Sequence, residues 1–183
     1  MIEMRETLPL LQSAIINQQS SMHLYIARHA WAGHFGDPGW PDDSLRELTP
    51  EGIERYTRVV QTLAERGFAP RRIATSPYTR CRQTADLIAK YTDHRPEVEE
   101  LDALQPGADL SALLKWTREQ EDADACWVGH NPDVELLTAA LISDRDAAIR
   151  FAKGTVAAVR FDGRIEPGAG ELCWLVTAKA LGV

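Results

Sequence analysis

From Met22 onward, short apolar runs alternate with longer amphipathic ones, and this rhythm constrains the fold more than any other feature of the chain. The stretches 22–27 (MHLYIA), 71–76 (RRIATS) and 124–130 (DACWVGH) are short, apolar and bounded by polar residues, which reads as buried strand. Between and after them the spacing predicts helices over 49–67, 77–91, 109–120 and from Asn131-Pro132 to about Leu141. The first carries its own punctuation: Thr49 to cap, Pro50 at the first helical position and Gly67 beyond the end. Its apolar face is Ile53, Tyr56, Val60 and Leu63; that of the second is Tyr78, Cys81, Ala85 and Ile88. Asp109 caps the third. Residues 96–101 form a weak strand, and 154–162 and 171–178 form an antiparallel pair around a Gly/Pro turn. Strand and helix at βαβ spacing predict an α/β three-layer sandwich with a mostly parallel central sheet and an antiparallel C-terminal edge.

The pattern has no internal repeat and no linker that would divide it, so 22–183 reads as one domain. Residues 1–21 read as an N-terminal extension, either an appended helix or an upstream start. Glu3 and Glu6 and the lack of a basic leader make them a poor signal peptide. No run approaches the ~20 apolar residues of a membrane span. Cys81, Cys126 and Cys173 are odd in number and lack a CxxC spacing, which suits reduced thiols and a cytoplasmic setting. A net charge of −7 argues against nucleic acid or an anionic membrane as partner, while leaving room for a local basic pocket.

In sheets of this kind ligands bind beyond the carboxyl ends of the strands. The first predicted strand ends on Arg28-His29, the second runs into Ser76-Pro77-Tyr78-Thr79-Arg80, and the third buried run ends in Gly129-His130-Asn131-Pro132. Singly, each is ordinary: a surface cation, a structural histidine, a solvated helix arginine. Together they bring two arginines, two histidines and two helix N-termini to one edge. Guanidinium forks and free helix N–H groups suit a phosphoryl group. A neutral imidazole is a competent nucleophile near neutral pH, and a second, protonated histidine can stabilise the transferring oxygens. Gly129, lacking a Cβ, lets the backbone approach the phosphate. No metal or cofactor is required. A site built on His29, His34 and Asp37 matches no standard zinc spacing. Trp31, two residues past His29, is placed to line the pocket, Trp40 to pack its loop, and Trp116 and Trp127 to fill the core. His23 and His94 read as structural or exposed.

At these residues the chain resembles the histidine phosphatase, or phosphoglycerate mutase-like, superfamily. Arg28-His29-Ala30, Leu48-Thr49-Pro50-Glu51-Gly52, the run SPYTRCRQTA (76–85) and Val128-Gly129-His130 match its motifs in order. The Arg-His-Ala start, short middle region and Gly-His-Asn-Pro segment are similar to the SixA branch of phosphohistidine phosphatases. The resemblance implies His29 as the nucleophile of a phosphohistidine intermediate, with Arg28, Arg80 and His130 holding the phosphoryl oxygens. It implies a phosphorylated partner, either a protein such as a histidine-containing phosphotransfer domain or a small phosphorylated substrate. Larger members supply a carboxylic acid from a middle insertion to protonate the leaving oxygen. Here only the short stretch 92–108 separates the second and third helices, and Asp102 is the nearest candidate donor, ahead of Glu100 and Asp37. An alkoxide needs that proton, whereas an imidazole protonated on its other nitrogen leaves neutral. The expected activity is therefore phosphohistidine hydrolysis in a signalling protein. The alternatives are a small-molecule phosphomonoesterase and a non-catalytic phosphate-binding module.

Overall fold

A computed structural model describes residues 21–120, 123–143 and 146–183. The expectation for the N-terminal extension, residues 1–21, lies outside them except for Ser21. Among the described residues six strands form one sheet: β1 (Met22–Arg28), β2 (Arg72–Thr75), β3 (Val98–Glu100), β4 (Ala125–Gly129), β5 (Val156–Phe161) and β6 (Glu171–Val176), in the order β3-β2-β4-β1-β5-β6. The first four pair in parallel. β5 runs against β1, and β6 against β5, forming the antiparallel C-terminal edge.

Among the described residues four α-helices cover the sheet: α1 (Pro50–Ala64), α2 (Thr79–Tyr91), α3 (Leu110–Arg118) and α4 (Asp133–Leu141). The strand pleat sends alternate side chains to opposite faces. Tyr25 and Ala27 of β1 and Cys126 and Val128 of β4 join Tyr56 and Val60 of α1 and Cys81 and Ile88 of α2. Leu24, Ile26, Ala125 and Trp127 face the other way, onto Leu113 of α3 and Val134 and Leu137 of α4. Strands buried on both faces explain why they read as continuous apolar runs. Trp127 is fully buried, and its indole N–H donates to Thr117 Oγ1 at 3.0 Å. Trp116 is also buried, so both tryptophans belong to the core.

The helix punctuation operates as expected from the sequence. Thr49 Oγ1 accepts from the Gly52 N–H, and Asp109 accepts from Ser111 and Ala112. Two expectations change. The buried residues of α1 are Gly52, Tyr56, Val59, Val60 and Leu63, and Ile53, one position past Gly52, turns away from that face and is 38% exposed. The second helix begins at Thr79, because Tyr78 before it is extended, and Ser76 Oγ faces His130 Nε2 as well as the Tyr78 N–H.

Strand register decides where the chemistry gathers. Arg28 lies opposite Gly129, and Thr75 opposite Val128, so three carboxyl ends stop at one level. The antiparallel β5 starts there, Val156 opposite Ala27, and so the loop before it joins the same edge.

Candidate active site

His29 is the first residue beyond β1, and main chain holds it on both sides. Its N–H donates to Gly129 O at 3.0 Å, and its carbonyl accepts from the Gly154 N–H at 3.1 Å. Nδ1 lies 2.8 Å from Ala30 O. A carbonyl can only accept, so Nδ1 carries the proton and Nε2 keeps its lone pair. The ring is buried, and burial pushes its pKa down to about 3, with Arg80, His130 and Arg28 adding to the shift against the Ala30 hydrogen bond. At neutral pH this imidazole is uncharged and holds a fixed tautomer.

The His130 ring centroid is 5.5 Å from that of His29. Arg80 Nη2 sits 3.2 Å from its Nδ1. A guanidinium can only donate, so Nδ1 accepts and Nε2–H faces Ser76 Oγ at 2.9 Å. Burial, then the charge of Arg80, pushes His130 to about pKa 4, while Asp43 pulls the other way. The sequence pointed to a protonated second histidine; in the structure the arginine claims its lone pair and the ring is neutral. Tyr78, read from sequence as an apolar-face residue of α2, instead stands edge-on to His130 at 4.9 Å with the Arg80 guanidinium over its ring. Its position ahead of the helix turns it out of the core.

Arg28 donates through Nη1 to Phe151 O at 2.7 Å. Arg80 donates through Nη1 to Asp43 O at 2.7 Å and pairs through Nη2 with the Asp43 carboxylate at 3.0 Å. The Nε of each arginine is buried without a hydrogen-bond partner among the described residues. An unsatisfied buried donor costs about 1–3 kcal/mol, so protein groups leave this cationic hydrogen-bonding capacity unspent. The remaining motif residues act as pins. Thr84 Oγ1 accepts from the Ala30 N–H, and Gln83 Oε1 from the Leu48 N–H, fastening α2 to the segment after β1.

Three charged residues at this edge were missed in the sequence. Arg46 is buried, donating through Nε to Asp43 at 2.8 Å and through Nη1 to Gly33 O at 2.7 Å. Asp43 therefore bridges two arginines. Burial alone would raise its pKa, but the Arg46 hydrogen bond and the charge of Arg80 overcome this and hold it below the usual carboxylate range. Lys153 is partly buried, and burial followed by the charges of Arg28 and Arg46 depresses its ammonium. The Asp-x-x-Arg spacing inside a Gly/Pro-rich loop was the available signal for the first two. Lys153 carried none, because only the antiparallel β5 brings its loop here.

The other candidates sit apart from the histidines or face elsewhere. The position of a Cβ on Gly129 faces Val134 and Leu104 at ordinary contact distance, while its carbonyl holds His29. Trp31 is half-buried beneath the Arg55 guanidinium, 4.2 Å from the ring centroid, and lines a neighbouring cavity. Asp102 is exposed and bonded to Gln105, Glu100 pairs with Arg82, and Asp37 accepts from the Gly39 N–H within its own loop. His34 and His94 are exposed, and His23 stacks on Tyr25 near Asp124. Among the described residues no three His, Cys, Asp or Glu side chains gather as a metal site.

Comparison with known proteins bears on the family and the fold. Residues 24–135 match the model of the histidine phosphatase superfamily (branch 1). An uncharacterised protein of Picosynechococcus sp. is 36% identical over 116 residues, covering 62% of this chain and 68% of its own. A solved structure of the protein histidine phosphatase SixA complexed with tungstate is similar at a TM-score of 0.76 and 23% identity, over 87% of this chain and 99% of that one. A putative phosphohistidine phosphatase SixA from Nakamurella multipartitia aligns at 0.71 and 22%, over 86% and 96%. The six-stranded, mostly parallel sheet with its antiparallel edge is the fold they share. With its family model spanning β1 to the start of α4, the chain belongs to the histidine phosphatase superfamily, branch 1.

Proposed function

We propose that this protein is a phosphohistidine phosphatase that works through a phosphohistidine intermediate on His29. The carrying observation is the 2.8 Å bond from Nδ1 to Ala30 O, which leaves the Nε2 lone pair free for attack on phosphorus. In the first step a bond forms from Nε2 to phosphorus and the P–N bond of the substrate breaks. The departing imidazole, already protonated on its other nitrogen, leaves neutral. Water then attacks the phosphoryl group on His29, the P–Nε2 bond breaks and orthophosphate departs. Arg28, Arg80 and His130 carry the oxygens through both steps by positioning and charge neutralisation. A phosphoryl dianion beside His130 favours its protonated form, opposing the bias set by Arg80.

The carboxylates favour an N–P over an O–P substrate. Asp43, which reaches His130 through Arg80, is an ion-paired carboxylate and a poor proton donor. Asp102 stays a candidate donor only if its exposed loop closes over the site. The partner in this reading is a phosphorylated protein, such as a histidine-containing phosphotransfer domain, in the cytoplasm. Support for the substrate class comes from the likeness to structures named SixA.

The test compares kcat/KM on a phosphohistidine protein and on an alkyl phosphate, with His29→Ala as control. The expected result is a strong preference for phosphohistidine and loss of turnover in the variant. Preference for the alkyl ester would mean a phosphomonoesterase with a hidden acid. Rapid-quench labelling with ³²P that leaves His29 unlabelled with every substrate would mean a binding module.

A further inference from the structure

Beside the candidate site, with Trp31 and Lys153 in its wall, lies a cavity of about 470 Å³. Arg55, Arg150, Lys153 and Lys179 line it with Trp31, and no carboxylate is among its lining residues. In a chain of net charge −7 this is a concentrated exception. Arg55 lies over Trp31 and donates to Val183 O at 2.7 Å. Arg150, Lys153 and Lys179 make no ion pair with the described residues. Like charges held together without counter-charge repel, and an incoming anion relieves that cost.

The cavity and the candidate site share one segment. Phe151 O holds Arg28, Lys153 lines the cavity, and the Gly154 N–H holds the His29 carbonyl. Gly154 has φ +71°, and a Cβ there would meet the Trp31 ring at 2.9 Å, so this loop is packed closely against the tryptophan. The loop 151–154 therefore belongs both to the edge that carries His29 and to the wall of the cation-lined cavity.

We propose that this cavity is a second anion subsite, which receives another anionic group carried by the same substrate while its phosphoryl group sits at His29. On a phosphoprotein that group is an Asp or Glu side chain beside the phosphohistidine; on a small substrate it is a second phosphate or carboxylate. The inference rests on the phosphatase reading above and adds to it a rule of substrate choice.

Two phosphohistidine peptides test it, one with Asp residues flanking the histidine and one with Asn in the same places. The wild type should favour the acidic peptide by about tenfold in kcat/KM at low ionic strength, and the preference should shrink with added salt. The double variant Arg150→Gln/Lys179→Gln, at two exposed positions, should lose the preference and keep its rate on the Asn peptide. An absent preference, or one that survives in the double variant, overturns the subsite. If neither peptide is hydrolysed, the phosphohistidine reading fails and calorimetry decides the subsite separately. An alkanediol bisphosphate binding more tightly than orthophosphate, with the gain lost in the double variant, keeps the subsite and assigns it to small substrates. Equal binding of the two overturns it.

Discussion

The two halves of the candidate site are held by different forces. The His29 half is fixed by main chain: Gly129 O and the Gly154 N–H bracket its backbone, and Ala30 O orients its ring. The His130 half is fixed by side-chain charge, through the chain His130–Arg80–Asp43–Arg46. The first depends on the sheet, so substitutions of surface charge leave it in place. The second can be retuned by a single charge change. The nucleophile candidate thus sits on the rigid half, and the groups proposed to meet charge sit on the adjustable one.

Arg80→Gln should show the largest effect on the adjustable half. It removes the cation that orients His130 and offers charge to the oxygens, and turnover should fall by roughly 10²–10³-fold, as for loss of one transition-state donor. A fall of less than tenfold would move the charge-stabilising role to Arg28 and Arg46.

Asp43→Asn separates orientation from charge. It keeps the backbone carbonyl that accepts from Arg80 Nη1 but discards the carboxylate. We expect kcat to fall by about tenfold while orthophosphate inhibits more tightly, since one negative charge leaves the anion site. His130 should titrate still lower, because Asp43 now favours its protonated form. NMR titration of the ring reads this directly, and an upward shift would refute the assigned charge chain.

Acid should weaken the fold through both halves. His29 and His130 titrate near 3 and 4 in the folded protein, against about 6.5 in an unfolded chain. From pH 6.5 downward the unfolded state binds more protons, so stability falls as pH falls toward 4. Urea midpoints at pH 7 and 4.5 should differ by more in the wild type than in His29→Asn. An equal difference would mean that His29 is not held neutral by burial.

Gly129→Ala should do least. The nearest atoms to the added Cβ are 3.4 and 3.6 Å away, on Val134 and Leu104, and the carbonyl that holds His29 is untouched. We expect activity within twofold and a small change in melting temperature. A large loss of activity would restore the expectation that this glycine lets the backbone reach the phosphate.

Much of this was legible in the sequence because local patterns specify local structure. Thr49, Pro50 and Asp109 act within one helical turn, and apolar runs such as LYIA and CWV leave a chain no alternative to burial. The Arg28-His29, Arg80 and His130 constellation was legible for a topological reason: parallel strands place their carboxyl ends together. Asp43, Arg46 and Lys153 escaped because loop conformation and an antiparallel crossing, not periodicity, bring them to the edge. Tyr78 was misread because its aromatic ring fits the apolar pattern of α2 although it precedes the helix.

By itself the sequence determined the layered α/β fold and brought Arg28, His29, Arg80 and His130 to one strand-end edge. Tertiary structure alone decided the tautomer of each histidine, the neutral state of His130, the Asp43 bridge and the cation row beside Trp31. Those properties depend on which donor or acceptor stands within about 3 Å of an atom and on how much water reaches it. Neither quantity is local along the chain.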